Sequence, residues 1–130
     1  MASIFTRIIN GEIPCYKIME NDKFLAFLDV FPLVKGHVLV VPKVETDYIF
    51  DIADSDLSEM MVFAKKVAKA QKAAISCKRI GVAVIGLEVP HAHIHLVPMN
   101  TANDLNFTLP KLKVDATEME QIATQIKSKL

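Results

Sequence analysis

Three histidines alternate at His91, His93 and His95 inside the apolar run Val89-Pro90-His91-Ala92-His93-Ile94-His95-Leu96-Val97-Pro98. Side chains two residues apart in a β-strand project from one face, so a strand here predicts three imidazoles in a row. Free imidazole titrates near pH 6.5, so close to neutrality each ring can attack an electrophile, accept a proton or donate one. The same row offers three nitrogens to a metal such as zinc. The chain has only four histidines, and three in one alternating run favour a working site over isolated structural residues. The fourth, His37, follows Gly36 and opens the apolar stretch Val38-Leu39-Val40-Val41-Pro42; by itself it fits a capping role or a site role.

The elements that must position these residues read as α+β. Ile4 to Ile9 forms a short helical segment closed by the Asn10-Gly11 turn, and Phe24 to Asp29 and His37 to Pro42 form two adjacent antiparallel strands joined through Pro32 to Gly36. Leu57, Met60, Met61, Ala64, Val67, Ala68, Ala74 and Ile75 keep helical spacing, which predicts a helix from Asp54 to about Cys77 capped by Asp54 or Ser55. Gly81 to Ile85 is a third strand, Gly86 breaks it, and the histidine run is the fourth. Asn100 to Leu109 is polar and turn-rich. Asp115 to Leu130 predicts a closing helix, with Asp115 and Glu118 at capping-box spacing and Met119, Ile122, Ile126 and Leu130 on one stripe.

The chain of 130 residues fits one domain, residues 1–130, without a linker or internal repeat. Fifteen basic residues balance fifteen acidic ones, with no block of like charge to grip nucleic acid or a membrane surface, so a small-molecule partner is favoured. No apolar stretch reaches the length of a membrane span and no signal-peptide pattern opens the chain, which points to the cytoplasm. Cys15 and Cys77 form no CxxC pair and read as reduced packing residues. A hydrophobic content of 52% leaves apolar surface for a second copy to cover.

Phe27-Leu28-Asp29, Pro32, Gly36-His37-Val38-Leu39-Val40-Val41-Pro42-Lys43 and His91-Ala92-His93-Ile94-His95-Leu96-Val97 resemble, in order and spacing, the histidine triad (HIT) superfamily, and the opening Ile4 to Pro14 looks like its Hint branch as found in bacterial HIT proteins. The resemblance spans roughly residues 3 to 99. It implies an antiparallel sheet of about five strands with two helices, commonly in a homodimer whose sheets join side by side, with residues 100–130 a variable extension ending in a helix. It also implies a nucleotide hydrolase or transferase acting on AMP or GMP conjugates, purine nucleoside phosphoramidates among them. His93 would attack the α-phosphorus, His95 would donate to a phosphate oxygen, and the His91 carbonyl would receive the inner N–H of His93. Asp29 would bind the ribose hydroxyls, Phe5, Ile8, Phe27, Val30, Leu39 and Val89 would wall the purine pocket, and His37 would lie close by. No metal or other cofactor is then required.

Three departures from that pattern stand out. Glu88 occupies a position where relatives often carry a Ser or Thr that contacts the phosphate; it either points away or, protonated, serves as a general acid for the leaving amine. Arg79 to Gly86 lacks the Asn-containing loop of many relatives. Ser3 and Thr6 stand where some bacterial relatives place zinc-binding cysteines, so no structural zinc is expected. Dinucleoside polyphosphate hydrolysis, a non-catalytic nucleotide-binding or scaffold role, and a metal centre on the three histidines are the competing readings.

Overall fold

The computed structural model describes residues 2–130. Five strands, β1 (Lys17–Glu20), β2 (Phe24–Leu28), β3 (Val38–Pro42), β4 (Arg79–Ala83) and β5 (Ile94–Met99), form one antiparallel sheet in the order β1-β2-β3-β5-β4. Helices α1 (Ile4–Ile9), α2 (Asp54–Ala74) and α3 (Ala116–Lys127), with 3₁₀ turns at Ile49–Asp51 and Ala102–Leu105, complete the chain.

Alternation along the strands decides which layer each side chain joins. Ala26, Leu28, Val38, Val40, Ile94 and Leu96 pack with Met60, Phe63, Ala64 and Val67 of α2 and with Met119, Ile122 and Ile126 of α3. Their neighbours Leu25, Phe27, Leu39 and Val41 point the other way and pack with Phe5, Ile8 and Ile9 of α1. Both faces of β2 and β3 are therefore covered, which is why these strands are apolar at every position. The register brings Phe27, Leu39 and His95 into one cross-strand row on the α1 side.

Several sequence expectations shift. The short charged edge strand Lys17–Glu20 has no period-2 apolar signal and was not anticipated. α2 starts from Ala53, which makes no side-chain cap, rather than from Asp54 or Ser55; Asp54 and Asp56 instead sit in the first turn, where the helix dipole favours negative charge. The helix stops at Ala74, three residues before Cys77, and Met61 faces solvent while Gln71 is fully buried. Gln71 Nε2 donates to the carbonyls of Gly36 (2.9 Å) and Leu96 (3.0 Å), tying α2 to the turn before His37 and to the histidine strand. Gly36 has φ +90°, and a Cβ there would collide with Ile75. β4 runs over Arg79–Ala83 rather than Gly81 to Ile85. In α3 the Asp115 cap accepts from Glu118 N (2.8 Å), but the Glu118 carboxylate pairs with Lys35 instead of closing a capping box, and Leu130 lies exposed beyond the helix end.

Candidate active site

Only His95 of the three alternating histidines lies in a strand; His91 and His93 precede β5 in an extended segment. Pro90 cannot donate to a ladder, and the segment is held irregularly, by Ala92 N to Thr46 O (2.7 Å) and His91 N to Val89 O (2.8 Å). Alternation nonetheless holds: Ala92, Ile94 and Leu96 join the α2 and α3 layer, and His91 and His93 both meet Phe5 of α1 edge to face, with centroids 5.7 and 5.0 Å away. His93 and His95 approach edge to face with centroids 4.8 Å apart. The His91 ring is fully buried and does not line the cavity that the other two reach.

His93 and His95 open onto a cavity of about 480 Å³ between α1, the ends of β2 and β3, and the segment from Ile85 to Val89. Its apolar wall includes Phe5, Ile8, Phe27, Val30, Leu39 and Val89. Asp29, His37 and Glu88 line it as well, with Glu88 solvent-exposed at the rim. Every sequence-proposed site residue except His91 therefore borders one cavity. A larger, more open depression of about 770 Å³ lies between the β1–β2 turn and α2, but its Lys23 is already paired with Asp56 and Glu59 and no nucleophilic imidazole lines it.

Hydrogen bonds to groups of fixed polarity determine where the imidazole protons sit. His93 Nδ1 lies 2.7 Å from the His91 carbonyl, which can only accept, so Nδ1 carries the proton. The lone pair is then on Nε2, which has no protein partner among the described residues and faces the cavity. A second chain starts at the Leu33 N–H, which donates to His37 Nδ1 (3.1 Å). His37 Nε2–H must then donate to His95 Nδ1 (2.9 Å), and the remaining proton of neutral His95 is on Nε2. One imidazole presents a lone pair and its neighbour presents a donor.

Burial keeps these rings neutral. Desolvation, reinforced by His95, pulls His37 down to about 3, and desolvation with His93 alongside pulls His95 down to about 4. His93 is also lowered, by desolvation first, against the opposing pull of the His91 carbonyl and of Asp29. His37 Nε2 and Asp29 Oδ2, 3.7 Å apart, are accordingly not an ion pair at neutral pH. Burial raises Asp29, while the Phe31 N–H on its Oδ1 (2.9 Å) works in the opposite direction. Its other oxygen remains available to a ligand's hydroxyls.

His91 works from behind the cavity. Its Nε2 donates to the Pro42 carbonyl (2.8 Å), and its Nδ1 meets the Ser3 hydroxyl at 2.7 Å. Ser3 also caps α1 by accepting from Thr6 N (3.0 Å), and Thr6 Oγ1 donates to Glu45 (2.7 Å). The backbone N–H of Ser3, with the Thr6 hydroxyl, holds Glu45 down to about 2. Two neutral hydroxyls hydrogen-bonded among themselves are not the thiolate or imidazole donors that zinc favours, so this set does not fit the structural metal of some relatives. Nor do the three alternating histidines converge on a cation, since both His91 nitrogens are occupied. Asp29, His37 and His95 do bring ligand atoms within 4.8 Å of one another, but a proton fills the line between the two imidazoles there.

Phe107 and Lys111 are among the cavity residues that the sequence did not point to. Phe107 packs its ring against His95 (centroids 4.7 Å apart) and His37 (6.4 Å), and Lys111 lines the rim. They come from the turn-rich stretch after β5, where neither periodicity nor a motif marks them. Leu112 N to Pro32 O (2.9 Å) ties this stretch to the loop after β2.

A five-stranded antiparallel sheet that aims two differently protonated imidazoles into an apolar cavity belongs to a recognisable class. The HIT domain matches residues 10–102, and the chain belongs to the histidine triad family. It is 32% identical to the adenosine 5′-monophosphoramidase hnt1 of Schizosaccharomyces pombe, over 100% of this chain and 99% of that one. Among solved structures, a Hit-like protein involved in cell-cycle regulation from Bartonella henselae superposes with a TM-score of 0.85 at 28% identity, covering 98% of this chain and 96% of that one. A zinc-bound histidine triad family protein from Mycobacterium smegmatis also gives 0.85, at 25% identity over 99% and 93% of the two chains.

Proposed function

We propose that this protein is a nucleotide hydrolase or transferase that cleaves purine nucleoside 5′-phosphoramidates, or related AMP and GMP conjugates, at the α-phosphate. The observation that carries this reading is the 2.7 Å bond from His93 Nδ1 to the His91 carbonyl, which leaves the Nε2 lone pair directed at the cavity. His93 Nε2 attacks the α-phosphorus, the P–N bond to the leaving amine breaks, and the amine departs with a proton. Water then cleaves the P–Nε2 bond, releasing the nucleoside monophosphate and restoring the neutral ring; dividing the displacement in this way lets one site serve both halves. His95 Nε2–H donates to a phosphate oxygen. Asp29 takes the ribose hydroxyls, with the base between Phe5, Ile8, Phe27, Val30, Leu39 and Val89. In this reading Glu88, at the rim, gives its proton to the leaving amine when protonated and regains one from the water that attacks next. The monophosphoramidase name of the fission-yeast relative supports the substrate class.

The test is to incubate the protein with adenosine 5′-phosphoramidate and follow AMP release, with His93→Ala as control and Glu88→Gln to probe the acid. Turnover lost in His93→Ala supports the reading. Nucleotide binding with no AMP release would favour a non-catalytic binding protein instead.

The same reading includes a homodimer. β4 is an edge strand, and Val82, Val84, Ile85 and Leu87 on and after it are exposed, Leu87 to 88%. Unpaired edges with apolar flanks are sites of strand pairing, so two sheets would join there. Light scattering should give twice the chain mass, and Val82→Lys should reduce it to one. A cytoplasmic location completes the proposal and is tested by cell fractionation; no helix is long and apolar enough to cross a membrane among the described residues.

A further inference from the structure

Any reaction at a nucleotide phosphate brings negative charge into the cavity and asks the protein to offset it. The side chains with formal charge that line the cavity are Asp29, Glu88 and Lys111. Two are acids, and burial keeps the three imidazoles, His37, His93 and His95, from supplying a standing positive charge at neutral pH. Lys111 is therefore the one full cation lining the site among the described residues. It lies outside residues 10–102, so the family match gives it no role.

Its position is set by the stretch that also delivers Phe107. The Lys111 ammonium donates to the Phe107 carbonyl (2.9 Å) and sits 5.4 Å from the centre of the Phe107 ring, whose other contacts are His95 and His37. The next residue is fastened to Pro32 through Leu112 N. By contrast Lys17, Lys23, Lys35 and Lys43 are each paired with a carboxylate, whereas Lys111 has no carboxylate within ion-pair distance among the described residues. Two of its three ammonium protons are left for a ligand, on a flexible four-carbon stem at the cavity mouth.

We propose that Lys111 is a substrate-binding residue whose ammonium takes a non-bridging oxygen of the nucleotide α-phosphate, with Phe107 as the platform that holds it over the histidines. This rests on the nucleotide reading above. It makes the stretch after β5 part of the site and gives the cavity a phosphate contact where Glu88 stands in place of a hydroxyl.

Equilibrium binding of AMP and of adenosine to the full chain tests it, using the unaltered protein, Lys111→Met and Lys111→Arg. Lys111→Met should weaken AMP about tenfold, leave adenosine unchanged and flatten the salt dependence of AMP binding, and Lys111→Arg should restore most of the AMP affinity. Unchanged AMP affinity in Lys111→Met, or equal losses for AMP and adenosine, would overturn the assignment. Failure of the unaltered protein to bind either compound would instead bring down the nucleotide reading itself, and the assignment with it.

Discussion

The two faces of the sheet are built from the same strands but solve different problems. On the side of α2 and α3, Ala26, Leu28, Val40 and Leu96 meet Met60, Ala64 and Ile126 with no titratable group among the buried residues. On the side of α1, Leu39 and Phe27 share their row with His95; His37, His91 and His93 are each tied to a backbone group of fixed polarity, and His95 is tied to His37. Packing on the first face fixes volume; hydrogen bonding on the second fixes protons. Damage to the first should cost stability and spare chemistry, while damage to the second should reach chemistry as well.

The largest expected effect separates the faces most sharply. His37→Phe keeps a ring against Phe107 but removes the donor to His95 Nδ1, so His95 can adopt either tautomer. kcat for AMP release should fall about a hundredfold or more, while the Leu33 N–H left without its acceptor costs about 1–3 kcal/mol in urea unfolding. Met60→Ala on the opposite face should destabilise by about 2–5 kcal/mol in urea unfolding while kcat per folded molecule stays near the original. Equal losses of kcat in the two variants would break the distinction between the faces.

Acid should sharpen the comparison. His95 and His37 titrate lower in the folded chain than the ordinary 6.5, so between these values the unfolded chain binds protons that the folded one refuses. Stability is therefore undiminished above pH 6.5 and falls as the pH drops toward 4, on the order of 3 kcal/mol for His95 once below both values. A urea series across pH 7 to 4 reads it, and His95→Phe should lessen the slope. The smallest effect is expected from Ser3→Ala, which removes the α1 cap and one His91 contact for about 1 kcal/mol, with a modest change in kcat.

How much was legible beforehand follows the same division. Unbroken apolar runs announced β2 and β3 and helical spacing announced α2, because burial leaves its trace in the sequence, and the spacing of His91, His93 and His95 flagged the site. β1 carried too few apolar residues to show, and Pro90 delayed the start of β5, so only His95 lies in the strand. That His91 acts through its backbone was anticipated from family likeness; that its ring is locked between Ser3 and Pro42 depends on contacts 88 and 49 residues apart in the chain. Phe107 and Lys111 were invisible for a related reason. Their place is set by how an irregular stretch crosses the site, and single contacts of that kind leave no period in a sequence.

The central claim is that this fold places the protons of His93 and His95 in opposite senses, and nitrogen NMR of the imidazole rings at pH 7 tests it most directly. The spectrum should show His93 protonated on Nδ1 with a bare Nε2, and His95 protonated on Nε2 with Nδ1 accepting from His37. Finding His93 protonated on Nε2, or averaging between both forms, would contradict it, because no nucleophile would then stand ready at the cavity.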